Sequence, residues 1–250
     1  MREDLVCGVH AVLTALREHP ERIGGVWVAV ERADRRIEGV VQAARTAGVR
    51  FHRVPRAKLD DMAEGARHRG VVARVHAAPV KREQDLEARL ETLERPALFL
   101  VLDGVQDPHN LGACLRVADA AGAHGVILPR DRTAPLSAAA RRVASGAAET
   151  VAVYQVVNLA RALDSLKEAG VWLYGAAQDA KESLYAADLT VPCAVVLGGE
   201  GEGLRRLTRE RCDRLIRIPM AGKVESLNVS VAAGVVLYEA VRQRAYGTQG

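Results

Sequence analysis

The chain has only four cysteines in 250 residues, and no two of them stand close in sequence. Cys7, Cys114, Cys193 and Cys212 make no C-x-x-C pair, which argues against a zinc site or a disulfide framework and leaves them as reduced packing residues. The seven histidines offer no H-E-x-x-H or similar spacing, so no metal is expected, and His109 and His124 read as turn or surface residues. Long apolar runs are missing as well. The longest, Ser226 to Tyr238, falls short of the roughly 18 residues that suggest a membrane span. "MREDL" leads into a mixed helix pattern rather than the sustained apolar core of a secretory signal. A cytoplasmic chain with no membrane partner is expected. No internal repeat or low-complexity segment is present.

What is present is apolar residue in quantity, 49% of the chain, enough for one large core or two modest ones. The net charge of +4 is unevenly distributed. Residues 1–82 carry 16 Lys and Arg against 10 Asp and Glu, whereas residues 83–250 carry 19 against 21. Of the 35 basic residues 30 are arginine, which suits bidentate phosphate contacts and base stacking better than lysine does. The clustering of positive charge in the first third points to a nucleic-acid partner there.

Helix-like segments ("GVHAVLTALREH", "RRIEGVVQAARTAG", "AKLDDMAEG") alternate with strand-like ones ("VWVAV", "VRFHRV", "VVARV") over residues 8–76, which predicts a small α/β domain over residues 1–76. "HAAPVKREQ" breaks the pattern at Pro79, and residues 77–96 read as a linker with a short charged helix, "EQDLEARLETLE", stopped by Pro96. From Ala97 short β-branched runs ("ALFLVLD", "HGVIL", "TVAVYQV", "VWLYGA", "CAVVLGG", "RLIRIPM") are separated by helical stretches. That pattern predicts a parallel sheet covered by helices over residues 97–250. Such sheets bind ligands beyond the carboxyl ends of their strands.

Three of these strands end in unusual sequence. In "LDGVQDPHNLGACLRVADAAG", Asn110 is placed to cap a helix after the Asp107-Pro108 turn, while Gly112 and Ala113 leave its first turn uncovered. Arg116 has Gly112 and Ala120 four residues to either side, so it stands over small neighbours; its plainer reading is a surface pair with Asp119. In "VLGGEGEGL", a pyrophosphate would face Glu200 and Glu202. A phosphate-free ligand with a fixed positive charge, such as S-adenosylmethionine, suits that turn better, and an ordinary strand-to-helix turn is the plainer reading. In "IPMAGKVESLNVSVAAGVVLYE", Ser226, Asn228 and Ser230 precede or open an apolar helix although one of them would suffice as a cap. Ser230, Ala233 and Gly234 are small at i, i+3 and i+4, so another backbone can come close. A Rossmann-type nucleotide enzyme would need its phosphate loop after an early strand, whereas "GGEGEG" comes late.

Taken together, the three segments resemble the three motifs of the SpoU/TrmH branch of the SPOUT RNA 2′-O-methyltransferases, in order and at comparable separations, over about Leu98 to Tyr246. "VCGVHAVLTAL" and "GARHRGVVARV" resemble the substrate-recruiting domain of the 23S ribosomal RNA guanosine-2′-O-methyltransferases, with Cys7 where an aromatic residue is common and Arg69 where Gln is common. The resemblance implies an α/β architecture: a C-terminal trefoil-knotted parallel-sheet domain plus a small N-terminal (L30e-like) RNA-binding domain. It implies a homodimer that moves a methyl group from S-adenosylmethionine to a guanosine ribose 2′-hydroxyl in 23S ribosomal RNA of a large-subunit precursor, with the peptidyl-transferase P loop as the expected target. A transfer RNA guanosine-2′-O-methyltransferase and a non-catalytic RNA-binding ribosome assembly factor are the alternatives. It implies a catalytic set of Arg116, Asn110, Glu200, Ser226 and Asn228. Leu197, Gly198, Gly201, Ile218, Met220, Ser226 and Leu227 are the implied cofactor-binding set.

Overall fold

The structure, a computed structural model, describes residues 3–31, 35–63, 65–76, 80–93 and 96–247. These gather into two compact units, Met1–Pro79 with Ala138–Thr150, and Val80–Ser137 with Val151–Gly250.

In the first unit the elements are β1 (Glu3–Cys7), α1 (Val9–Glu18), β2 (Ile23–Ala29), α2 (Arg35–Thr46), β3 (Phe51–Val54), α3 (Arg56–Ala63) and β4 (Val71–His76). The sheet order is β1-β4-β2-β3, with β4 antiparallel to both neighbours and β2 parallel to β3. One face is closed by Val12 and Leu16 of α1 and Ile37, Val40, Val41 and Ala44 of α2, packed on Val26, Val28, Val71, Ala73 and Val75. The other face carries α3, whose Leu59 and Ala63 meet Ala29 and Val72. Strand β1 departs from the helical reading of the first residues. It exists because its backbone pairs with β4, Cys7 opposite Val72, and a pairing across that distance in sequence leaves no local periodicity.

The chain supplies two further helices to this unit from the middle of its sequence, α6 (Ala138–Ala144) and α7 (Ala147–Thr150). Sequence pattern put residues 138–150 with the second domain, since a short apolar helix does not announce which core it joins. Here Glu149, 7% exposed, takes hydrogen bonds from Arg22 and from Arg141 Nη1 (2.5 Å). Arg22 also donates to the His76 carbonyl at 2.9 and 3.0 Å, so a buried carboxylate has two cationic partners.

The second unit contains α4 (Glu83–Glu91), β5 (Leu98–Asp103), α5 (Pro108–Ala120), β6 (Gly125–Pro129), β7 (Val153–Val156), α8 (Leu159–Glu168), β8 (Trp172–Ala176), β9 (Glu182–Ser183), β10 (Cys193–Gly198), α9 (Arg206–Arg211), β11 (Arg214–Arg217) and α10 (Val229–Tyr246). Its sheet runs β7-β6-β5-β10-β8-β11-β9 and every pairing is parallel. Every residue of β5 and β6 is buried, as expected for parallel strands covered on both faces. Strand β10 is inserted between β5 and β8, and β11 lies outside β8. After β11 the chain returns to the middle of the layers, where α10 packs on α5 and β10.

The far end of α10 is bonded on two sides. Arg244 donates to the carbonyls of Ala97 (2.8 Å) and Pro96 (3.2 Å) at the start of β5, and to those of Leu189 (3.0 Å) and Val191 (2.8 Å) before β10. Beside it, Gln243 accepts from the Leu189 N–H at 2.8 Å and donates to the Ala187 carbonyl at 3.0 Å. All four cysteines are free. Burial pushes the thiol of Cys114 up to about 12 and that of Cys193 up to about 11, so both are neutral packing groups at physiological pH. No helix among the described residues is long and apolar enough to cross a membrane.

Because Arg244 serves carbonyls from two segments at once, Arg244→Met keeps the aliphatic stem but strands those carbonyls. It is predicted to lower unfolding free energy by about 2–3 kcal/mol in urea titration; a loss below about 0.5 kcal/mol would show that water replaces the guanidinium at no cost.

Candidate active site

Two of the three strand ends, those of β5 and β10, are drawn together by contacts that tolerate no extra atoms. Strand β5 ends at Asp103, 1% exposed, whose carboxylate accepts from Arg205 Nε (2.5 Å) and from the Arg205 backbone N–H (3.2 Å). This buried charge ties β5 to the loop after β10. The Gly199 N–H donates to the Asp103 carbonyl at 2.9 Å. A Cβ on Gly198 would lie 2.0 Å from the Gly203 carbonyl carbon, and one on Gly199 would lie 2.4 Å from the Gly104 oxygen. Gly201 and Gly203 turn the loop with φ of +83° and +65°, in the left-handed region. "GGEGEG" is thus a folded-back loop that carries Glu200 and Glu202 exposed at its tip.

Helix α5 starts differently from expectation. Its cap is Asp107, which accepts from the His109 N–H at 2.9 Å, and not Asn110. Pro108 occupies the first helical position, where its missing N–H costs nothing, so the acidic residue before it is the one placed to cap. Asn110 therefore lies inside the first turn with its amide released for other partners. Its Nδ2 donates to Glu200 Oε1, and its Oδ1 accepts from Asn228 Nδ2 at 3.0 Å.

Asn228 stands at the start of α10 and is itself the cap. Its Oδ1 accepts from the Ser230 N–H (2.9 Å) and from Ser230 Oγ (2.6 Å), while its Nδ2 also reaches Glu200 Oε1 at 3.5 Å. The surplus of polar residues is accounted for: one side-chain oxygen caps the helix, a serine hydroxyl braces the cap, and the amide nitrogen serves the network. Farther along α10, Ala233 is fully buried, and a Cβ on Gly234 would lie 3.9 Å from Val117 of α5, so the small residues are where the two helices approach.

Of the expected catalytic residues, hydrogen bonds bring together Asn110, Glu200 and Asn228. Arg116 is on the same helix as Asn110 and is exposed. Ser226 is exposed and makes no hydrogen bond among the described residues. Of the expected cofactor residues, Leu197 is buried near the end of β10, Gly198 closes that strand and Gly201 is in the loop beyond. Ile218 and Met220 are half-buried just after β11, and Leu227 is half-buried just before the α10 cap. Sequence reasoning missed Asp103 and Arg205, which hold the loop; the signal was an acidic residue ending an otherwise apolar strand. Among the described residues no cluster of three His, Cys, Asp or Glu side chains could hold a metal ion.

Residues 97–238 match the SpoU rRNA methylase family, and residues 5–80 match the family described as RNA 2′-O ribose methyltransferase substrate binding. The 23S rRNA (guanosine-2′-O-)-methyltransferase RlmB of Yersinia pestis is 54% identical over 241 residues, covering 96% of this chain and 98% of that protein. The SpoU methyltransferase AviRb from Streptomyces viridochromogenes, in a crystal structure with AdoMet, superposes with a TM-score of 0.78 at 25% identity over 98% of this chain and 92% of its own. An AdoMet-bound rRNA methyltransferase from Sinorhizobium meliloti gives a TM-score of 0.75 at 25% identity, over 98% and 88%.

The dual use of Asn228 is separable by substitution. Asn228→Ala should cost about 1 kcal/mol of stability through the lost cap, and Asn228→Ser should restore most of it while leaving Asn110 without its partner. Equal urea midpoints for the wild type and the alanine variant would show that the cap contributes nothing.

Proposed function

The chain belongs to the SpoU rRNA methylase family, and from that premise we propose that it methylates a guanosine ribose 2′-hydroxyl in 23S ribosomal RNA. It is an S-adenosylmethionine-dependent RNA 2′-O-methyltransferase acting on ribosomal RNA, closely related to bacterial RlmB. The observation that carries the reading is the meeting of Asn110, Glu200 and Asn228, one from each of three strand ends, in a single hydrogen-bonded group.

S-adenosylmethionine supplies the methyl group. The loop fits such a ligand: its tip is acidic, which suits a sulfonium and an ammonium, and a Cβ on Gly201 or Gly203 would meet nothing within 4 Å, so a ligand can approach the backbone there. The backbone around Leu197, Gly198, Gly201, Ile218, Met220 and Leu227, with Ser226, would hold the adenosine. A ribose hydroxyl is a poor nucleophile at neutral pH, so charge developing on its oxygen must be stabilised. Arg116 is assigned that task. Its planar guanidinium can hold a phosphate and the ribose oxygen in one fork. Asn110 orients the ribose, and Glu200, held by two amides, completes the site.

Residues 1–76, with most of the excess positive charge, are assigned to RNA recruitment, 77–96 to a linker and 97–250 to methyl transfer. The substrate would be a large-subunit precursor in the cytoplasm, with the P loop as target. Mapping 2′-O-methyl groups in RNA from a strain lacking the gene identifies the nucleotide; an intact 23S map with a lost transfer RNA methyl group would redirect the assignment.

Arg116→Ala should lower single-turnover methylation about 100-fold or more, the scale of losing a group that stabilises transition-state charge. S-adenosylmethionine affinity by calorimetry should stay unchanged, and Arg116→Lys should recover little because the fork is gone. Near-normal methylation by the alanine variant would remove Arg116 from the chemistry.

A homodimer is proposed as well, supported by an apolar stripe on α10. Val231 and Tyr238, seven residues apart and so on one face, are 51% and 50% exposed. Light scattering should return twice the chain mass, and Tyr238→Glu should shift it toward the monomer. A wild type that is monomeric and fully active at micromolar concentration would refute the dimer.

A further inference from the structure

Among the described residues, the second face of the β1-β4-β2-β3 sheet is exposed at His52 and Arg74. Helix α3 lies over Ala29 and Val72, with Cys7 and Val54 alongside. Farther back along the strands the same face presents His52 of β3, Trp27 and Gly25 of β2, and Arg74 of β4, since Trp27 pairs in register with His52 and Gly25 with Arg74. His52 and Arg74 are exposed and Trp27 is half-buried.

These three side chains form a row. The Trp27 and His52 rings are stacked, with centroids 5.4 Å apart and planes inclined by 21°. On the other strand, Arg74 Cζ lies 5.1 Å from the Trp27 ring centroid. Gly25 makes room for the indole, because a Cβ there would come within 3.0 Å of Trp27 Cη2. Trp27 packs on one side against the cluster under α3, but its ring extends away from Ala29 over Gly25, where an exposed imidazole and an exposed guanidinium flank it.

We propose that the His52–Trp27–Arg74 row is a stacking platform for an unpaired base of the RNA substrate. The proposal rests on the reading that this chain acts on ribosomal RNA. Planar groups one strand apart repeat at close to 5 Å, and a base laid on the open end of the row continues it. The guanidinium adds a cation–π contact and a positive charge beside the phosphate backbone, in a unit whose residues 1–79 carry 14 basic against 10 acidic groups. A duplex keeps its base faces stacked on each other, so the ligand is a single-stranded loop or bulge.

Trp27 and Trp172 are the only tryptophans, so a Trp172→Phe chain reports on the platform alone. A short unstructured oligoribonucleotide should quench its emission, and an abasic strand of equal charge should bind more weakly and quench little. His52→Ala and, separately, Trp27→Leu should each weaken binding about 5- to 100-fold, the range for a lost base–aromatic stack. Because stacking neutralises no phosphate, the slope of log affinity against log salt should be unchanged in His52→Ala. Trp27→Phe, which keeps a ring, should recover part of the loss. S-adenosylmethionine binding should be untouched in all of them, since its site lies in the second unit, and an unchanged urea midpoint for His52→Ala confirms that the first unit is folded. The proposal is overturned if RNA binds and is methylated with Trp27 emission and His52→Ala affinity both unaltered. A wild type that neither binds nor methylates ribosomal RNA would instead overturn the functional reading, and the platform with it. A change in oligomeric mass on Trp27→Leu, at unchanged RNA affinity, would make this face a protein interface.

Discussion

The side chain of Asn228 is the joint on which the active-site region depends. An amide has an acceptor at one end and a donor at the other, and both are used: the oxygen caps α10 through Ser230, and the nitrogen bonds Asn110 and approaches Glu200. The direction in which α10 leaves its cap and the geometry of the polar group are therefore set by the same few atoms. From that cap α10 runs against α5 at Gly234 and Val117, and α5 in turn carries Asn110 and Arg116. A serine or aspartate could cap the helix, but neither has an amide nitrogen to offer Asn110.

The loop that presents Glu200 is held by a different means, absence of volume together with one buried ion pair. Gly198 and Gly199 lie in backbone contact with Gly203 and Gly104, and Arg205 neutralises Asp103 beneath them. A buried carboxylate without its partner would be strongly destabilising, so the pair fixes the loop relative to the strand end. At the opposite end of α10, Arg244 and Gln243 bond the segments before β5 and β10. The C-terminal helix is thus secured at both ends by polar contacts, and in its middle by small residues.

The first unit solves a different problem with the same materials. Its α1–α2 face is closed by aliphatic side chains, and its other face carries α3 and, among the described residues, is exposed at His52 and Arg74. What remains open there is planar and polar, not aliphatic, and it coincides with the part of the chain richest in net positive charge.

Much of this was legible from residue order alone. The apolar runs of β5, β6 and β10 are continuous because both faces of a parallel sheet are covered, so the sequence by itself determined the α/β class and the positions of these three strands. Three polar strand ends marked the proposed site, because packing asks for neither Glu200 nor Asn110 where they stand, and Asn228 is one of three polar residues where a single cap would suffice. The tertiary structure decided what depends on partners remote in sequence. It decided that β1 is a strand, since β4 completes it, and that residues 138–150 join the first unit, where Glu149 meets Arg22. It decided that Asp107 and not Asn110 caps α5, freeing the amide that Asn228 and Glu200 share. Periodicity reports which face of an element is buried; it carries no record of which other segment buries it, and hydrogen bonds across a hundred residues are chosen only when the chain has folded.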